Sequence, residues 1–146
     1  MNAKKSLSAV LAVIMLLSVC TIGISAEEKL PFTDVIEGEW YYDAVKYVYK
    51  NGLMNGTGDG TKFSPMMNLT RGMVVTVLYR NDGGKGATAK NPFTDIKGDE
   101  YYAAASAWAH AAGVVTGTGE DEWGALIFSP DRNITRQELA TMFARY

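Results

Sequence analysis

The sequence has 146 residues, of which 47% are hydrophobic, and its 14 basic and 16 acidic residues give a net charge of −2. A mildly acidic surface argues against nucleic acid as a partner and against bulk attraction to an anionic membrane or wall. The single cysteine, Cys20, and the single histidine, His110, are too few for a Cys/His metal site. They also provide no paired nucleophile and base, so we expect no enzyme activity, no cofactor and no metal site.

The first 26 residues have the layout of a secretory signal peptide. Lys4 and Lys5 precede an apolar run from Leu7 to Ile24, and small residues follow up to Ala26. A basic start, an apolar middle and a small-residue cleavage site are what such a leader requires. We place cleavage after Ala26, and cleavage one residue earlier also fits. Loss of the two lysines then changes the net charge from −2 to −4.

Two alternatives to a cleaved leader remain open. The apolar run approaches the ~18 residues that a membrane anchor needs, although serine, threonine, cysteine and glycine dilute it. A lipid on Cys20 is the other alternative, but Val19 stands where a lipoprotein signal has a small residue. With cleavage, the mature chain has no cysteine, and we expect a secreted protein with no disulfide and no membrane span.

The rest of the chain is a duplication. Residues 31–58 match residues 92–119 at an offset of 61, with 11 identities in 28 positions. Residues 63–80 match residues 128–145 at an offset of 65, with 8 identities in 18 positions. This density indicates a tandem repeat. Repeats of this size bury little surface alone, so we expect the two to pack against each other.

The limits of these matches predict the domain boundaries. The signal peptide is 1–26, repeat one is 31–80 and repeat two is 92–146. The intervening residues 81–91, NDGGKGATAKN, show no apolar periodicity. Their glycine-rich, polar composition predicts a flexible linker between the repeats.

The first helix of each repeat is predicted over residues 40–51 and 101–112. Each segment follows a Pro-Phe-Thr-Asp turn and carries apolar side chains at helical spacing. Gly52 and Gly113 follow the two segments and fit the role of C-caps.

The aromatic residues of these helices allow two interpretations. Aromatic rings with polar tips suit sugar binding, but aromatic residues at helical spacing usually form a core. Core packing is the better interpretation for Tyr41, Tyr102 and Trp108. Trp40 and Tyr101, at the helix starts, are the better candidates for a ligand groove.

Glycine-rich turns follow the first helices, at residues 56–60 and 117–121. They lack the Gly-Lys-Ser/Thr of a phosphate loop and the oxygen ligands of a calcium loop, so they predict tight turns with positive φ. The amides of Gly56 and Gly117 remain available to a ligand. Phe-Ser-Pro segments at 63–65 and 128–130 then predict short extended pieces.

The second helix of each repeat is predicted to begin after a threonine cap, at Thr70 and Thr135. In repeat two, Thr135 and Glu138 form the pattern of a capping box. Repeat one has Gly72 and Met73 in the corresponding positions, so we expect its helix to start less firmly, by roughly 0.5–1 kcal/mol.

Arg71 and Arg136 occupy the first helical position after these caps. A cation there opposes the helix macrodipole, and a bound anion, held by the arginine and the free helix amides, reverses that balance. The alternative is structural: each arginine pairs with Asp34, Asp95 or a neighbouring carboxylate. The two interpretations are compatible and both stay open.

These motifs together resemble the S-layer homology (SLH) domain family. The resemblance rests on Phe-Thr-Asp-Val, the aromatic helix start, Gly-Leu-Met-Asn-Gly, Phe-Ser-Pro and Ile-Thr-Arg-Gln-Glu, and it covers 31–80 and 92–145. It implies a mainly α fold of helix–loop–helix repeats, which in the family usually number three around a pseudo-threefold trefoil. It also implies an exported, non-catalytic module that anchors proteins to pyruvylated secondary cell-wall polysaccharide.

The resemblance further implies which residues bind the wall polymer. The family's binding arginine lies in the Thr-Arg motif, and its groove also uses the opening aspartate, the helix-start aromatic residue and the glycine turn. In this sequence these positions are Asp34, Trp40, Gly56, Arg71, Asp95, Tyr101, Gly117 and Arg136. The pyruvate ketal carries a carboxylate, which suits an anion site at a helix start.

Two repeats form only part of a three-repeat trefoil. A second function is therefore open: a structural or protein-interaction module that associates with other SLH repeats, or with itself, without binding glycan. Both functions place the chain outside the cell, at the cell wall or cell surface.

Overall fold

The computed structural model describes residues 29–85 and 90–146. The chain divides between Leu30 and Pro31, and all the elements below belong to Pro31–Tyr146. The predicted signal peptide and its alternatives lie outside the described residues. Within the described ranges, no helix has the length and apolar character needed to cross a membrane.

The described residues form four helices and one small sheet, so the mainly α prediction is confirmed. The helices are α1 (Tyr42–Lys50), α2 (Arg71–Asn81), α3 (Ala103–Ala111) and α4 (Arg136–Arg145). The sheet joins β1 (Gly119–Glu120) to β2 (Leu126–Ile127) in antiparallel register. Helix α2 reaches the first residue of the predicted linker, and residues 86–89 of that linker are not described.

The first helix of each repeat begins two residues later than its aromatic pattern predicts. A tight turn precedes each helix, in which Tyr42 N–H donates to the Glu39 carbonyl at 2.9 Å and Ala103 N–H donates to the Glu100 carbonyl at 3.0 Å. Both helices end one residue earlier than predicted, at Lys50 and Ala111, and the glycines follow the cap residues in the left-handed conformation. Gly52 has φ 68° and Gly113 has φ 75°, which a residue with a side chain adopts only at a cost.

The threonine caps of the second helices are confirmed. Thr135 Oγ1 accepts the Glu138 amide at 3.3 Å, and the Glu138 carboxylate accepts the Thr135 amide at 3.0 Å, which completes the predicted capping box. In repeat one, Thr70 Oγ1 accepts only the Met73 amide, at 3.3 Å, because Met73 cannot return a bond.

The Phe-Ser-Pro segments are not simply extended, so that prediction is wrong at the serine. Ser64 has φ 59° and Ser129 has φ 56°. The cause is an aspartate that accepts two consecutive amides. Asp34 bonds the amides of Phe63 and Ser64 at 2.8 and 2.9 Å, and Asp95 bonds those of Phe128 and Ser129 at 2.9 and 2.7 Å. Turning two neighbouring amides toward one carboxylate requires the left-handed serine.

The main core lies between the two repeats, as their size predicts. Helix α2 of repeat one packs along α3 of repeat two. Val75 and Ala109 are fully buried there, and the rings of Tyr79 and Trp108 meet with centroids 5.6 Å apart. Tyr102 and Trp108 are therefore core residues, as expected from their spacing.

Candidate functional site

Arg71 leaves its own repeat and enters the other. Its Nε donates to the Phe128 carbonyl at 3.0 Å, and its Nη1 contacts Glu138 Oε1 at 3.2 Å. Its guanidinium also lies 5.0 Å from the Phe128 ring centroid, within cation–π range. With only 3% of its surface exposed, Arg71 is one of the few buried polar residues of the described chain.

Backbone hydrogen bonds also join the start of α2 to repeat two. The Arg71 amide donates to the Arg132 carbonyl at 3.0 Å, and the Gly72 amide donates to the Pro130 carbonyl at 2.9 Å. A Cβ atom on Gly72 would lie 2.9 Å from the Tyr102 ring. The glycine that weakens the helix by propensity is thus required by the junction between repeats.

Glu138 provides the negative charge that pairs with the arginines at this junction. Arg132 bonds it from one side, Arg71 contacts it from the other, and Thr135 donates to it through both its amide and its hydroxyl. The bond from Arg132, followed by those from Thr135, lowers the pKa of Glu138 to about 2. Burial lowers the pKa of Arg71 while Glu138 opposes that effect, and a guanidinium remains charged at any physiological pH.

A polar groove of about 400 Å³ opens beside Arg71 in repeat two. We call it the repeat-two groove. It is lined by Arg71, residues 114–117, Gln137, Glu138, Thr141, Met142 and Arg145. Arg71 and Arg145 line it together with the carboxylate of Glu138, which also pairs with Arg132. Among the described residues, the Gly117 amide has no hydrogen-bond acceptor. The groove therefore combines excess positive charge with a free donor.

The corresponding groove of repeat one has about 910 Å³ and a different chemical character. We call it the repeat-one groove. Most of its lining is apolar, from Val45, Val48, Met54, Phe63, Pro65, Met67, Leu69, Met73 and Val77, together with Gly56 and Tyr101. Met73 occupies the position of Glu138, and Arg80 is the one arginine in its lining. Arg80 Nη1 donates to the Leu53 carbonyl at 3.1 Å.

Asp34 and Asp95 support the loops and form no ion pair with the arginines, although Asp95 acts on Arg71 electrostatically at longer range. Each uses both carboxylate oxygens on the amides of its own Phe-Ser segment. The Phe63 amide makes the largest contribution in lowering the pKa of Asp34. The proposed pairing of Arg71 with an aspartate is thus replaced by its contact with Glu138, the neighbouring-carboxylate alternative.

Gly56 and Gly117 occupy the bottom of their grooves, where a side chain does not fit. A Cβ atom would lie 2.6 Å from the Lys62 carbonyl oxygen at Gly56 and 2.8 Å from the Ile127 carbonyl oxygen at Gly117. Both residues also have positive φ, of 85° and 97°. The two sites are alike in this respect, and each brings the backbone to the groove surface.

The helix-start aromatic residues lie in different surroundings. Tyr101 belongs to repeat two but lines the repeat-one groove, and its ring packs edge-on against Tyr102. Burial raises the pKa of the Tyr101 hydroxyl. Trp40 lies against Tyr41, is 90% exposed and lines neither groove.

Arg136 also lies apart from the other predicted site residues. It begins α4 on the exposed surface, and no ion pair joins it to any residue in 29–85 or 90–146. The structure thus brings together Arg71 and Gly117 in one groove and Gly56 and Tyr101 in the other. Sequence reasoning missed Arg145 and the contact of Glu138 with Arg71, because neither is visible without knowing how the repeats pack.

The described part of the chain contains no metal-binding cluster. No group of three or more histidine, cysteine, aspartate or glutamate residues there is placed to hold a metal ion. The Nδ1 atom of His110 is buried without a hydrogen-bond partner, and its ring packs edge-on against Phe93 at 5.4 Å. His110 is therefore a packing residue in this structure.

Comparison with known proteins identifies the repeats. The family model described as S-layer homology domain matches residues 31–72 and 92–140. An endoglucanase of Bacillus sp. (strain KSM-635) is 33% identical over 97% of the chain, which spans 15% of that protein. The Surface-layer 125 kDa protein of Lysinibacillus sphaericus is 31% identical over 84% of the chain, and the match covers 10% of that protein. The Middle cell wall protein of Brevibacillus brevis is 27% identical over 97% of the chain, and the match covers 13% of that protein.

Proposed function

The chain belongs to the S-layer homology domain family, and from that membership we propose that it is a non-catalytic module that attaches to the bacterial cell wall. Relatives named as surface-layer and cell-wall proteins support this proposal. The relative named as an endoglucanase shares only 15% of its length with the chain, so its enzymatic name says nothing of this segment. The proposal places the chain outside the cell, at its surface.

The proposed ligand is an acidic wall polymer, specifically a secondary cell-wall polysaccharide with pyruvate ketals. The observation that carries this assignment is the buried Arg71 beside Arg145 in the repeat-two groove, around a single carboxylate. Excess positive charge in a partly closed groove favours a carboxylate ligand, because water competes less there than on an open surface. A net acidic chain needs such a local site to bind an anionic polymer.

Each candidate residue has a proposed role in this binding. Arg71 and the Gly117 amide bind the carboxylate, and Asp95 holds the loop that shapes the groove. In repeat one, Asp34 and Gly56 have the same structural roles, and Tyr101 offers a ring for sugar contact. Trp40 and Arg136 are exposed outside both grooves, where they are accessible to the polymer.

Sedimentation of the exported chain with purified cell walls tests this function. We expect the chain to pellet with intact walls and to stay in solution once the secondary polymer has been removed chemically. Arg145→Ala should weaken binding about tenfold, because a charge-assisted contact is lost without disturbing the core. Lys97→Ala removes an equal charge outside the groove and serves as the control. Equal binding to stripped walls, or equal binding by Arg145→Ala, would contradict the proposal.

A further inference from the structure

The turn between β1 and β2 is longer than its counterpart in repeat one. The offset between the repeats grows from 61 to 65 across it, so four residues are added between Gly119 and Phe128. In repeat one the corresponding turn closes directly, with the Gly60 amide bonding the Thr57 carbonyl at 2.9 Å. We call residues 120–125 the repeat-two tip. None of them belongs to the core cluster, which points to a use at the surface.

Trp123 is the most exposed large side chain of the repeat-two tip, with 82% of its surface in contact with solvent. Within residues 29–85 and 90–146, its ring pairs with no other aromatic ring and meets no cation. Trp108, by contrast, is 7% exposed and packs in the core. An indole left in water adds no apolar burial to folding, so its faces are available to a ligand.

Asp121 fixes the backbone beneath this indole. Its Oδ1 accepts the amides of Trp123 and Ala125 at 3.0 and 2.9 Å, and its Oδ2 accepts the Thr94 hydroxyl at 3.2 Å. The Gly124 amide also donates to the Asp121 carbonyl, at 3.0 Å. The bond from the Ala125 amide makes the largest contribution in lowering the pKa of Asp121. The indole is thus presented from an ordered turn, which reduces the entropy lost on binding.

The surroundings of the indole are acidic. Residues 119–127 contain three carboxylates and neither lysine nor arginine. Glu120 and Glu122 are exposed, and no ion pair joins them to the rest of the described chain. A Cβ atom on Gly124 would lie 3.9 Å from Glu120 Oε2, so this carboxylate lies beside the turn that carries Trp123. An indole face among carboxylates favours a cationic ligand and disfavours the acidic polymer assigned to the repeat-two groove.

We propose that Trp123, Glu120 and Glu122 bind an amino sugar with a free amine, as part of a glycan. The sugar ring stacks on the indole, and the ammonium group is attracted by the indole face and by the two carboxylates. The ligand of the repeat-two tip is therefore cationic, whereas that of the repeat-two groove is a carboxylate. The cell wall as the source of this glycan rests on the proposed function, but the chemistry of the site does not.

The size of the repeat-two tip favours a sugar over a basic protein surface. A stable protein interface buries about 1,200–2,000 Å², whereas one tryptophan side chain buries at most about 250 Å². Among residues 119–127, Trp123 is the one large apolar side chain that is strongly exposed. One indole covers about one sugar ring, and so small a contact predicts a dissociation constant of about 1 mM.

A fluorescence titration with soluble oligosaccharides tests the proposal in the absence of any acidic polymer. The chain carries Trp40→Ala, so that only the buried Trp108 and the exposed Trp123 emit. The probes are glucosamine oligomers and the same oligomers fully N-acetylated, at about pH 6, where a primary amine is protonated. We expect the glucosamine oligomer to change the emission and saturate, and the N-acetylated oligomer to bind about tenfold more weakly.

Substitutions at the repeat-two tip locate the binding. Adding Trp123→Ala should abolish the emission change, because Trp108 is buried. Replacing Glu120→Gln and Glu122→Gln together should weaken binding of the glucosamine oligomer about fivefold, since two exposed ion pairs are lost. Asp99→Asn removes an exposed carboxylate outside the tip and is the matched control, with unchanged binding expected. Thermal melting should show that the glutamine variant is folded, because neither glutamate pairs with another described residue.

Each contrary result overturns the proposal. These results are equal binding of the two oligomers, unchanged binding by the double glutamine variant, and no emission change at about 10 mM oligomer, tenfold above the expected dissociation constant. Pentalysine that binds more tightly than the glucosamine oligomer would identify a basic protein segment as the occupant and reject the sugar. None of these outcomes depends on the acidic polymer, so they leave the test of the proposed function separate.

Discussion

The two grooves are built from the same sequence pattern but differ in volume and polarity. The repeat-two groove is polar and has about 400 Å³, whereas the repeat-one groove is mostly apolar and has about 910 Å³. Two differences account for this. The preceding repeat inserts Arg71 into the repeat-two groove, and no repeat precedes repeat one in the described chain. Glu138, which meets that arginine, is replaced by Met73 in repeat one.

Each groove is therefore a property of a junction and not of a single repeat. The aspartate, the glycine and the threonine cap recur in both copies with nearly the same geometry. Among the described residues, the ionic site exists only where one repeat follows the other. We expect substitutions of the shared residues to lower the unfolding free energy equally in the two repeats. Substitutions at the junction should lower it in one repeat only.

The largest expected effect concerns a part that the grooves share. Gly56→Ala and Gly117→Ala should each lower the free energy of unfolding by about 3 kcal/mol, because the new Cβ clashes with a carbonyl oxygen at positive φ. Urea unfolding of both variants measures this. Gly38→Ala is the control, since its positive φ is not accompanied by any contact within 4 Å. A difference above about 1.5 kcal/mol between the two groove variants would show that Gly56 and Gly117 do not have the same structural role.

The next effect should appear in one groove only. Glu138→Gln leaves Arg71 buried without its carboxylate, so we expect a loss of about 2 kcal/mol in unfolding free energy. Met73→Gln makes the corresponding change in repeat one, where no ion pair is lost, and should cost less than about 1 kcal/mol. The two variants are compared by the same urea titration. Equal losses would show that Glu138 contributes nothing through Arg71.

The pH dependence of stability tests the contribution of the Glu138 carboxylate in a second way. The pKa of Glu138 is about 2 in the folded chain and 4.5 in the absence of its partners. The folded state therefore binds fewer protons, so this stabilisation is present above pH 4.5 and is lost as the pH falls toward 2. We expect the stability difference between wild type and Glu138→Gln to shrink across this range. Thermal melts at several pH values measure it, and a constant difference would contradict the role of the carboxylate.

The smallest expected effect distinguishes the helix-start aromatic residues. Trp40→Ala should change the unfolding free energy of the monomeric chain by less than about 0.5 kcal/mol, because its side chain is 90% exposed. Tyr101→Ala should cost about 1 kcal/mol, because it removes the ring contact with Tyr102 and part of the groove wall. Melting curves at low protein concentration measure both. A larger loss for Trp40→Ala would place that residue in a contact that the structure does not show.

Much of the fold could be predicted because its signals are local. Helix spacing, the glycine ends and the Thr135–Glu138 capping box depend on residues a few positions apart, and the duplication made each pattern visible twice. The left-handed serines were missed because their cause, an aspartate about 30 residues earlier, acts through tertiary contact. The same holds for the pairing of Arg71 with Glu138, which spans 67 residues. A sequence pattern marks the arginine as special, but only packing shows which carboxylate it meets.

The central claim is that the groove completed by Arg71 is the one that binds an acidic glycan. Backbone amide chemical shifts of the nitrogen-15-labelled chain, titrated with solubilised wall polymer, test it most directly. We expect the Gly117 amide to shift and saturate while the Gly56 amide stays in place. Equal shifts of both amides, or a shift of Gly56 alone, would contradict the claim.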